Sequence, residues 1–67
     1  MVVSYKKLWS HLIERNMKRI DLIKLTGITS NTLANMGKDE YISMKNLEKI
    51  CRAMNLTPSD ILEFVED

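Results

Sequence analysis

Gly27 is one of only two glycines in this chain, and it stands between a segment of helical apolar spacing, Lys18 to Thr26, and a run of small polar residues, Thr29 to Met36. Glycine enters the left-handed backbone region without steric cost and so commonly ends helices. Leu22, Ile23 and Leu25, read as the inward face, predict a helix that stops at Gly27. Ile28 supplies an apolar residue in the turn, and Thr29 can cap a third, short helix running to about Met36, with Leu33 and Met36 facing inward. Gly37 is placed to end it.

The flanking segments repeat the same period. Upstream, Tyr5, Leu8, Trp9, Leu12 and Ile13 follow the i, i+3, i+4, i+7, i+8 stripe of an amphipathic helix, with Ser4 as its N-cap. Downstream, Lys38 to Ile42 reads as a loop, and Ser43 caps a helix carrying Met44, Leu47, Ile50, Cys51 and Met54 that ends near Asn55. Thr57-Pro58-Ser59-Asp60 opens a last helix, with a capping threonine, proline at the first helical position and an acid where the helix dipole is positive. Ile61, Leu62 and Val65 form its apolar side. No segment alternates like a strand. The expected fold is therefore all-α, a compact five-helix bundle filling residues 1–67 as one domain. Trp9, Met17, Met36, Met44 and Met54 fit core positions, Cys51 is read as a buried thiol, and His11 falls off the stripe toward the surface.

Size and composition narrow the functions. A chain of 67 residues buries only about 60% of its unfolded surface, which disfavours a large active-site cleft. With one cysteine and one histidine it can build neither a disulfide framework nor a zinc site, and no metal or cofactor is expected. There is no nucleophile–base pair, paired-carboxylate cleft or glycine-rich phosphate loop, so an enzyme is not expected. No apolar run approaches a membrane span, and the expected location is cytoplasmic.

Net charge is +1, yet it is unevenly spread. Residues 1–38 hold seven Lys/Arg against two acids, a balance of +5, and residues 39–67 hold three against seven, a balance of −4. Such asymmetry suits a front half that faces a polyanion, although scattered lysines also serve solubility.

A helix ending in glycine, a tight turn and a second short helix make up the helix-turn-helix unit, in which the first helix braces the second across DNA. The outward positions of the second are Ser30, Asn31, Ala34 and Asn35, with Thr29 and Thr32 beside them. Their side chains are short enough for close approach. Asn pairs with the N6/N7 edge of adenine and Ser with either base type, which makes Asn31, then Ser30 and Asn35, the candidate base readers. Lys18 and Arg19, where helix two exposes backbone N–H groups, are candidate phosphate clamps.

The stretch MKRIDLIKLTGITSNTLANMGKDEYISMKNLEKICRAMNLTPSDILEF strongly resembles the Cro/phage-repressor (Xre-type) helix-turn-helix regulators. With YKKLWSHLIERN before it, the resemblance covers nearly the whole chain. It implies a five-helix bundle, sequence-specific operator binding to double-stranded DNA, and often a homodimer formed through the last helix or the surface beside it, where Phe64 and Val65 lie. Base reading by Ser30, Asn31 and Asn35 is implied, with phosphate contacts at Arg19, Thr29 and Lys38. Ser43 and Lys45 match positions that touch a second phosphate backbone in relatives. Arg19 stands where many members carry Gln, Lys18 where a capping Ser or Thr is common, and the loop after Gly37 is about one residue shorter than usual. A repressor controlled by its own concentration or by a partner, without a small-molecule ligand, is the leading expectation. The rival is an antitoxin-like adaptor that keeps the fold and binds a basic protein through its acidic rear.

Overall fold

The computed structural model describes residues 1–67 throughout. In chain order it contains β1 (Val2–Ser4), α1 (Lys6–Glu14), α2 (Arg19–Thr26), α3 (Ser30–Gly37), α4 (Met44–Met54), α5 (Pro58–Ile61) and β2 (Glu63–Val65).

The helices arise where spacing and caps agree. In α4, Leu47, Ile50 and Met54 recur on one face and are buried, the Ser43 hydroxyl accepts from Asn46 N–H at 3.1 Å, and Asn55 closes the helix at φ 56°. Arg15, just past α1, donates to the Met54 carbonyl at 3.0 Å and thereby satisfies one of the acceptors α4 leaves open at its end. Tyr5, Leu8, Leu12, Leu22, Ile28, Met36 and Ile61 converge with that face into one core of eleven buried apolar residues. Every helix contributes to it, so their relative positions are set together.

Five expectations change. First, the bundle carries two strands in addition to its helices. The last helix is only four residues long: Leu62 turns extended at φ −138°, ψ 163°, and Glu63–Val65 pairs antiparallel with Val2–Ser4, Val3 opposite Phe64. Val65 is therefore on a strand, and strand alternation puts it on the face opposite Phe64. Second, Tyr5 precedes α1 instead of belonging to it. It is fully buried, and its hydroxyl donates to the Glu40 carbonyl at 2.6 Å, pinning the α3–α4 loop to the start of α1. Burial, and then the nearby Asp39 carboxylate, push its pKa above the ordinary tyrosine value.

Third, Ser4 is a buried residue of β1 and not the cap of α1, although its hydroxyl accepts from Lys6 N–H at 3.4 Å. Fourth, Ile13, Leu25 and Met44, read as inward-facing, are 75%, 48% and 77% exposed, because no element packs over those sides of α1, α2 and α4. Fifth, α3 runs through Gly37, and the left-handed residue after it is Asp39 at φ 57°. Cys51 is half-buried, with its pKa raised by burial and then by the Asp60 carboxylate.

Candidate nucleic-acid interface

The turn between α2 and α3 takes three residues, each with a separate task. Gly27 is left-handed at φ 80° and its N–H donates to the Ile23 carbonyl at 3.0 Å. Ile28 drops into the core at 2% exposure. Thr29 caps α3 by accepting from Thr32 N–H at 3.1 Å. The result fixes α3 against α2 while leaving one flank of α3 bare.

On α3, Met36 is buried and Leu33 packs against the core, so Ser30, Asn31 and Ala34, and Lys38 just beyond, form a continuous exposed stripe. Asn35 is half-buried at its margin. An eight-residue helix is about 12 Å long, close to the width of the B-DNA major groove of about 12 Å. Nothing on this stripe is larger than asparagine until Lys38.

Hydrogen-bond donors gather at the amino end of α3. Thr29 and Thr32 share a hydroxyl–hydroxyl bond of 3.0 Å, and the Asn46 side-chain amide donates to the Thr32 hydroxyl at 3.4 Å. Whichever threonine donates in that pair, the other keeps a hydroxyl proton with no partner in the protein. Asn46 also holds the starts of α3 and α4 side by side, since its backbone N–H is the one bound by the Ser43 cap. Lys45 is exposed on the first turn of α4. Thr29, Thr32, Ser43 and Lys45 thus belong to one edge.

The opposite end of α3 carries Arg19. Its guanidinium carbon lies 3.9 Å from the Trp9 ring centroid, and its Nη1 is 3.5 Å from where a Cβ on Gly37 would sit. The cation is therefore held between an aromatic face and the last turn of α3, whose open carbonyls favour positive charge. Stacking uses the face of the guanidinium and leaves its N–H donors, which lie in the plane, unspent. Beside it the Lys18 backbone N–H donates to Asp21 Oδ2 at 2.8 Å, so the carboxylate caps α2 where a serine or threonine was lacking.

Ion pairing leaves these cations alone. The three salt bridges join the amino terminus to Asp67, Lys7 to Glu63, and Arg52 to Glu48, all away from α3. Lys18, Arg19, Lys38 and Lys45 have no acidic partner within bridging distance. Asp39 and Glu40 follow Lys38 directly and reduce the positive potential at that point, which makes Lys38 the weakest cation of the group. Trp9, Gly37 and Asn46 are residues that the sequence did not single out for this face. Trp9 sits in the apolar stripe of α1, and nothing in that pattern distinguishes a ring that packs inward from one that also supports an arginine.

A braced pair of helices joined by a three-residue turn, with the second helix bare and small-sided, defines the helix-turn-helix class. More specifically, the Cro/C1-type HTH DNA-binding domain matches residues 7–67, and the chain belongs to this family of helix-turn-helix transcriptional regulators. An uncharacterized HTH-type transcriptional regulator of Bacillus subtilis (strain 168), YozG, is 38% identical over 58 residues, 84% of this chain and 69% of that protein. The crystal structure of the transcriptional regulator VanUg superposes with a TM-score of 0.93 at 39% identity, covering 98% of this chain and 88% of that one. No helix is long and apolar enough to cross a membrane.

Proposed function

We propose that this protein is a sequence-specific operator-binding repressor, with α3 inserted in the major groove. The observation that carries the reading is the exposed Ser30–Asn31–Ala34 stripe, framed at one end by Arg19 on Trp9 and at the other by the spare hydroxyl donor of Thr29 and Thr32. Asn31 and Ser30 read base edges, with Asn35 contributing from the margin. Lys18, Arg19, Thr29, Thr32, Ser43 and Lys45 bind phosphates on the two flanking strands, and Lys38 adds a weaker contact. Occupying the site excludes other proteins from it, which is the steric basis of repression.

One such module hides only about 600–1,000 Å² of protein surface on DNA, too little for high affinity. The functional unit is therefore a homodimer on two half-sites about 34–36 Å apart. A salt titration of binding tests the reading. The logarithm of the affinity for a random-sequence duplex should fall linearly with the logarithm of salt, with a slope of several units. Absence of binding at low salt would instead support the adaptor reading.

A further inference from the structure

The eight residues of α3, SNTLANMG, include no charged side chain. The groups it exposes are a hydroxyl at Ser30, an amide at Asn31 and a methyl at Ala34, with a second amide half-buried at Asn35. Base pairs differ in what they ask of such a face. Guanine presents two acceptors, O6 and N7, which the paired donors of arginine or lysine meet, and cytosine presents an N4 donor that an acid accepts. Adenine presents one acceptor beside one donor, N7 and N6–H, which is the complement of an amide, and thymine presents a methyl. The neighbouring cations leave this inventory unchanged. Arg19 is stacked on Trp9 beside the last turn of α3, and Lys38 lies past that turn, whereas base contacts come from the N-terminal residues of a recognition helix. A serine or threonine hydroxyl bonds to either base type and so does not choose between them.

We infer that the base pairs read by α3 are A·T pairs, with an adenine held by the Asn31 amide and a thymine methyl lying against the Ala34 side chain; the inference rests on the operator-binding reading above. The Asn31 Nδ2–H donates to N7 while Oδ1 accepts from N6–H. Guanine cannot match this pair of bonds, because it presents an acceptor where Oδ1 needs a donor. Ala34 stands three residues on from Asn31, about 4.5 Å along the helix axis. Successive bases of a strand are about 3.4 Å apart, so with α3 lying along the groove the two contacts fall on neighbouring pairs. Cytosine carries no methyl, so the Ala34 contact favours thymine of the two pyrimidines. The absence of long side chains on this flank lets the helix approach closely enough for both contacts.

Selection from random duplexes by the full chain, followed by single-atom changes in the enriched site, tests the proposal. The core of each enriched half-site should consist of A·T pairs. At one of them 7-deazaadenine, which lacks N7, should weaken wild-type binding at least about fivefold, the lower end for a bidentate pair, and should leave Asn31→Ala unaffected. At a neighbouring pair deoxyuridine in place of thymidine should weaken the wild type about fourfold, the worth of one buried methyl, and should leave Ala34→Gly unaffected. Asn31→Arg, which supplies paired donors, should move the preference at the adenine to guanine. Asn31 is exposed, so both of its variants should keep the helical circular dichroism of the wild type. A core of G·C pairs, or an A·T core indifferent to both atomic changes because duplex shape is being read, would overturn the inference and leave operator binding standing. Recovery of no sequence at all would overturn both.

Discussion

At the scale of single residues, Arg19 and Asn31 allow the proposed holding and the proposed reading of DNA to be tested separately. As a proposed clamp on phosphates, which every sequence shares, Arg19 makes a definite prediction: Arg19→Ala should weaken specific and random duplexes alike and flatten the salt slope by about one unit. Trp9 stacks on the guanidinium at 3.9 Å and, in the proposed complex, serves only to hold it. Trp9→Leu should therefore reduce affinity for all sequences while keeping the slope, and Trp9→Phe, which retains a ring face, should recover most of the loss; binding isotherms at several salt concentrations measure both. Asn31→Ala should cost about 1–3 kcal/mol on the specific site alone and relax preference at one base pair, as competition with single-base variants would show. The exposure of Asn31 and Ser30 was legible because a short helix with Leu33 and Met36 inward leaves them no other direction. Met44 and Ile13 were misread for the converse reason: periodicity says which residues share a face, not whether a neighbour covers it.

Among the elements, the α2–turn–α3 unit and α4 were readable because local signals coincide. Gly27, the Thr29 and Ser43 caps and the apolar period all favour the same boundaries. Gly27 has no atom within 4 Å of an added Cβ, so Gly27→Ala meets no clash and pays only for the left-handed backbone, about 1–2 kcal/mol by chemical denaturation. The short sheet was not readable. Three residues hold too little alternation to show a period of two, and the partners, Val2–Ser4 and Glu63–Val65, lie at opposite ends of the chain. Proline and the Thr57–Asp60 pair correctly started α5 but carried no signal for its end at Ile61.

Asp60 gives that element a pH dependence. Its carboxylate accepts from the Thr57 N–H at 3.0 Å and the Thr57 hydroxyl at 2.9 Å, and these bonds hold its pKa below the ordinary value of 3.8. A depressed folded-state pKa means stabilisation that is present above pH 3.8 and lost as the pH falls below it, through the folded value. Thermal melts should thus show Asp60→Asn less stable than wild type at neutral pH, with the difference shrinking in acid. A constant difference across that range would show that the capping charge is not what the substitution removes.

For the whole molecule, charge and shape bear on one partner. The basic front half contains every cation around α3 except Lys45, while the acidic rear half ends in the strand and tail behind the sheet. The Cα envelope measures 31 × 23 × 18 Å, so two touching copies can have centres close to one helical turn of DNA apart. A domain this small is marginally stable, and a ligand that binds only the folded state adds stability by mass action. Specific duplex should accordingly raise the melting temperature more than random duplex at equal concentration.

The most direct test of the central claim, that α3 reads sequence in the major groove, is selection from random duplexes by the purified protein at moderate salt. Enrichment of a palindrome with half-sites about one helical turn apart, lost at a defined base pair in Asn31→Ala, is the predicted result. Recovery of no sequence above background, or of a motif unchanged by substitutions throughout the Ser30–Asn35 face, would contradict it.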